Sequence, residues 1–129
     1  MGIRYEKDTI LNWINEMGKF LRLLVGKWEG LQEETRESVN IDTGYKEFFN
    51  EERTFFLNLS DAELIDYSKS LEQEQIRPLA QLLMYDGVIN QDNGLLLKAK
   101  ALFEYHMKQT GSFSFEDYGF LQQINNNLR

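Results

Sequence analysis

Residues 85–94 read Tyr-Asp-Gly-Val-Ile-Asn-Gln-Asp-Asn-Gly, a stretch with two Asp, two Asn and two Gly between apolar runs. Oxygen donors this dense are what a calcium loop needs. An EF-hand loop takes oxygen ligands at positions 1, 3 and 5, Gly at 6 and Glu at 12. With Gly94 at the sixth position, Ile89, Gln91 and Asn93 fall on the ligand places and Lys100 closes the loop. With Gly87 there, the first ligand is Leu82. Starting at Asp86 puts Val88 third and Gln91 where Gly belongs. Every register fails, and no metal ligand is assigned. The same residue types also serve a helix end, a tight turn and a new N-cap, so the stretch reads as the turn of a helical hairpin.

His106 is the only histidine. It lacks a partner at ligand or triad spacing, so it reads as a core or rim residue. Carboxylate pairs such as Glu33–Glu34, Glu51–Glu52 and Asp61–Glu63 lie outside apolar runs that would raise a pKa. Glu104–Tyr105–His106 misses the Glu-x-x-His spacing of a bundle carboxylate metal site. There is no cysteine, hence no thiolate site and no Cys nucleophile. No Gly-rich phosphate loop is present. No catalytic, cofactor-binding or metal residue is assigned, and the chain is expected not to be an enzyme.

The remaining candidate is an interaction surface. Residues 1–30 carry a net charge of +1, residues 31–75 of −8 and residues 76–129 of zero, giving −7 overall. An acidic chain repels phosphate, which argues against nucleic acid. In 41–59 the stripe Ile41, Tyr45, Phe48, Phe55 and Leu59 leaves Asp42, Glu47 and Glu51 on other sides, with Phe49 and Phe56 at its edge. Edge rings beside carboxylates suit a basic amphipathic peptide. Phe49, Phe56, Glu47 and Glu51 are therefore the expected partner contacts. The alternative is that the phenylalanines are all core.

The elements that must position these residues read as helices. Ile10, Trp13, Ile14, Met17, Leu21, Leu24 and Val25 keep steps of three and four, with Asp8 or Thr9 as cap and Gly26 as stop. Leu11, Phe20 and Leu23 widen that stripe toward a second covered side. Residues 31–59 continue as helix, weakened by about 1 kcal/mol at Gly44, with breaks expected near Asn50 or Asn58. Ser60 and Glu63 have capping-box spacing. A helix starts or kinks at Pro78 and stops at Gly87. Another runs from Asp92 to Thr110, ended by Gly111, and a last one follows the Ser114 cap. The expected fold is all-α, a single domain over 1–129 of about five to seven helices packed as antiparallel hairpins. No window approaches the ~18 apolar residues of a membrane span. The N-terminus has no signal-peptide run, and Glu6 stands where myristoylation wants Ser or Thr. A cytoplasmic setting is expected.

The order of elements, with "LSDAEL" leading into "LAQLLMYDGVI" and "LLLKAKALFEYHM", resembles a bacterial all-helical domain family of unknown function with tetratricopeptide-like helix pairs, over roughly residues 5–110. In that register Ala99, Phe103 and Gly87 suit their places. Asp86 and Asn90 stand where apolar residues belong, and no proline follows Gly111. The resemblance implies helical hairpins and no particular chemistry. The expected function is a non-catalytic helical protein-interaction module with a protein partner of basic character and without nucleic acid or membrane. Homo-oligomerisation stays open. The alternative is a small-molecule or lipid-binding helical domain, motivated by the aromatic content.

Overall fold

A computed structural model describes residues 7–29, 40–112 and 114–128. Among them are seven helices and no strand, the all-α architecture that the apolar spacing predicts. Contacts divide the chain into two compact units, one ending at Leu59 and one starting at Ser60. No helix among the described residues is long and apolar enough to cross a membrane.

The first unit holds α1 (Lys7–Glu29), α2 (Ile41–Phe49) and α3 (Arg53–Leu57). Helix α1 buries Ile10, Trp13, Met17, Leu21 and Leu24 of the predicted stripe and leaves Ile14 and Val25 half-buried. It passes through Gly26 and starts before Thr9, so neither the expected stop nor the expected cap is used. A helical glycine costs only about 1 kcal/mol, less than the burial of one large apolar side chain. Leu11 and Leu23 are exposed, so the wider stripe is covered only at Phe20, which is half-buried against Phe48.

Trp13 ties α1 to α2. Its indole N–H donates to the Phe48 carbonyl at 3.0 Å, and its ring meets Phe48 and Phe49 edge-on. Gly44 sits against the Phe20 ring, where a Cβ would overlap it. The glycine that weakens the helix therefore permits the close approach. Asn40 caps α2, accepting from the Asp42 amide at 2.9 Å. Asn50 ends it at φ 62°, one of the two breaks expected. The other lies at Asn58, after the single turn of α3. Residues 31–39 of the expected long helix lie outside the described residues.

The second unit holds α4 (Asp61–Ser68), α5 (Gln73–Ile89), α6 (Asn93–Thr110) and α7 (Phe115–Asn127). The Ser60–Glu63 capping box forms with both bonds, at 3.1 and 2.8 Å. Helix α5 begins at a second box between Glu72 and Gln75 and runs through Pro78, which neither starts nor ends it. It continues past Gly87 to Ile89.

Gly87 is a contact point and not a stop. A Cβ there would lie 2.9 Å from the Leu96 side chain and 3.1 Å from its backbone nitrogen. The turn falls three residues later. Gln91 takes φ 53°, the Asp92 amide donates back to the Gly87 carbonyl at 2.9 Å, and Asp92 caps α6 through the Leu95 amide. This six-to-one bond is the signature of a Schellman-type end. The short turn folds α6 back on α5. Helix α6 also packs on α4 and α7, and α7 packs on α5. Leu79, Leu82, Leu83, Leu95, Leu96, Ala99, Leu102 and Phe103 make the core.

Candidate functional site

The aromatic residues expected to form a docking edge are interior. Phe49 is 2% and Phe56 0% exposed. Phe56 lies against Tyr45, Phe49 and Phe55, with centroids 5.1, 6.3 and 5.2 Å away. The expected edge took the faces of 41–59 from a single helical period carried across the break expected near Asn50. The left-handed residue Asn50 interrupts that period and turns α3 back, so that Phe56 points inward and Phe55 is only half-buried. Glu47 is exposed and Glu51 half-buried, but neither has an exposed Phe49 or Phe56 ring beside it. Part of the acidic face is met locally, with Arg53 3.7 Å from Asp42 and Lys46 3.5 Å from Glu52. Such surface pairs are worth about 0–1 kcal/mol. Phe49 and Phe56 are core side chains, as the alternative reading has them.

In the 86–94 stretch Asp86 is fully buried, and its Oδ1 accepts from the Asn90 side chain at 2.6 Å. Asp92 serves α6 as its cap. Among the described residues no cluster of three His, Cys, Asp or Glu has metal-binding geometry.

In the second unit, described residues line an apolar and a polar cleft. The first is an apolar groove of about 690 Å³ over α6, with α4 and α7 as walls. Ile65 comes from α4, Ala101, Tyr105 and Met107 from α6, and Tyr118 and Leu121 from α7. Glu104 and Lys108 stand at its rim, both exposed. Tyr118 is 54% exposed. Asp61, one turn before Ile65 on α4, is an exposed carboxylate, as are Glu63 and Asp66. Helix α4 carries no cation.

The second cleft is polar, about 390 Å³, where the start of α5, the end of α6 and the start of α7 converge. Arg77 is its organising residue. Its Nε donates to Asp117 Oδ1 at 2.6 Å, and a terminal nitrogen donates to Glu116 at 3.3 Å. Its guanidinium lies 5.4 Å from the Phe120 ring centroid, and that ring stacks on Phe103 at 5.3 Å. Burial acts to lower the Arg77 pKa, but Asp117 and Glu116 hold it above its ordinary value. Asp117 is 5% exposed. Its backbone amide donates to the Ser114 hydroxyl, which completes the expected cap of α7.

His106 lines the same cleft, at the rim of the core as its apolar neighbours suggested. Its Nδ1 is buried and has no hydrogen-bond partner among the described residues. Burial pushes its pKa below the usual histidine value; Asp117 works the other way and Arg77 with the burial. The sequence reading missed this constellation. Arg77 and Asp117 are 40 positions apart, with nothing local to connect them. The one available signal was Ser114-Phe115-Glu116-Asp117, a cap whose fourth residue is acidic and therefore suited to meet a cation.

Comparison with protein-family models, curated proteins and solved structures finds no match to this chain.

Proposed function

We propose that this chain is a non-catalytic helical interaction module, and that the groove over α6 receives a basic amphipathic helix. The observation that carries the reading is the apolar groove of about 690 Å³ with Lys108 on its rim, flanked by α4, whose Asp61 and Asp66 are exposed carboxylates. A helix lying in such a groove presents an apolar stripe to Ile65, Ala101, Met107 and Leu121, while its cationic flank faces the carboxylates. Residues 60–129 carry ten acidic and six basic side chains, a balance that favours cationic partners. Gly87 lets α5 and α6 approach closely, as a helical hairpin needs.

The test is a nuclear magnetic resonance titration with a Leu/Lys amphipathic helical peptide, and with its Leu/Glu counterpart as control. Shifts clustered at Ile65, Ala101, Tyr105 and Leu121, with the Lys peptide alone, are the expected result. Equal binding of the acidic peptide, or shifts confined to the first unit, would overturn it.

A second reading is a small-molecule or lipid site, favoured by the groove's volume, which falls in the ~300–1,000 Å³ range of ligand clefts. Native mass spectrometry of freshly purified protein separates the two: a co-purified ligand in the groove supports this one.

A further inference from the structure

The polar cleft contains a buried imidazole nitrogen with no hydrogen-bond partner among the described residues, beside a carboxylate already held by an arginine. While His106 is neutral, its Nδ1 can stand as an unmet acceptor, at modest cost. Protonation makes that nitrogen a buried donor and adds a charge close to Arg77. Asp117 is the carboxylate that acts on the imidazole, and its Oδ1 is occupied by Arg77 at 2.6 Å. We propose that His106 is an acid-sensitive latch: its protonation puts a second cation beside Arg77 in a cleft that shields it from water, and α7 then loosens from α5 and α6.

The charged groups around the imidazole are few. Helix α5 contributes Arg77, with uncharged Gln73 beside it, and α7 contributes Glu116 and Asp117. Helix α4 contributes no residue to this cleft. On α6 itself Glu104 and Lys108 line the other groove, and Thr110 uses its hydroxyl on the His106 carbonyl at 3.0 Å. Detaching α7 returns the imidazole to water, where its charge is cheap, so acid favours the open form. Burial, the largest influence on the imidazole, acts in that direction. Arg77–Asp117 and the Arg77–Phe120 contact are what the open form gives up.

The experiment is hydrogen exchange, corrected for intrinsic rates, on the full chain between about pH 7.5 and about pH 5.5, where an ordinary imidazole titrates and ordinary carboxylates do not. Protection of α7 amides should fall several-fold on acidification, while the α5–α6 core keeps its protection. His106→Gln should abolish the pH response. Asp117→Asn should leave α7 loose at both values. A second measurement is independent of any variant's folding. The lone imidazole C–H resonance and the Arg77 Nε–H resonance should titrate with one shared midpoint. Separate midpoints, an unchanged α7 in wild type, or an undiminished response in His106→Gln would each overturn the latch.

Discussion

At the residue scale, side chains are decided by what they touch. Phe56 fills the centre of an aromatic cluster with Tyr45, Phe49 and Phe55. Phe56→Ala is expected to cost about 3–5 kcal/mol in urea denaturation, as a buried phenylalanine does. Gly87→Ala sets two local effects against each other. Alanine gains about 1 kcal/mol of helix propensity, but its Cβ meets Leu96, whose backbone nitrogen cannot move aside like a flexible side-chain tip. Overpacking of this kind costs about 1–3 kcal/mol, so the variant is expected to be less stable by the same measurement.

His106 adds a pH dependence whose sign follows from burial. Its folded pKa lies below the unfolded value, so on acidification the unfolded chain takes up the proton first. Stability present above about pH 6.5 is therefore lost as pH falls toward the folded pKa. Denaturation midpoints across that window should decline in wild type, with a flatter profile in His106→Gln.

At the scale of elements, the ends of helices obey local rules and are legible in order. Ser60 with Glu63, Ser114 before α7, Gly111 after α6 and Asn50 after α2 all act as their types suggest. Ser60→Ala is expected to cost about 0.5–2 kcal/mol, read as a lower thermal midpoint. At Asn50 the backbone is left-handed, so Asn50→Gly should be nearly neutral while Asn50→Val is destabilised by about 1–2 kcal/mol. Where local signals misled, a helix found a stronger reason to continue. Gly26 and Gly87 lie inside helices because a permissive residue does not compel a stop while the ladder can go on. Pro78 lies inside α5, five residues after its start, so the chain has already turned into helix before the missing donor is felt.

At the scale of the whole molecule, the acidic balance and the α6 groove bear on partners. Tyr118 lines the groove yet is 54% exposed, so Tyr118→Asp is expected to leave the helical circular dichroism signal intact. The same change places a carboxylate on an apolar wall and should weaken capture of a Leu/Lys helix, measured by fluorescence anisotropy. Capture by wild type should also weaken with salt, because steering by exposed charges is screened beyond roughly 10 Å at 0.1 M ionic strength. Loss of helicity in Tyr118→Asp would place that ring in the fold and remove it from the binding surface.

Helix class, the caps at Ser60, Asp92 and Ser114 and the 86–94 turn follow from the sequence alone, because each depends on residues within four or five positions of one another. The stripe along α1 and the inner face of α6 are legible for the same reason. Tertiary structure alone decided that Phe49 and Phe56 are interior and Phe55 only half-buried, with the left-handed residue at position 50 separating α2 from α3. It also decided why Gly44 and Gly87 are glycines, through the approach of Phe20 and Leu96. The two clefts belong to this second class. The groove joins Ile65 to Leu121, and the polar cleft joins Arg77 to Asp117. Pairings at such separations arise from the way whole helices pack, and periodicity along one helix does not encode which neighbour its faces will meet.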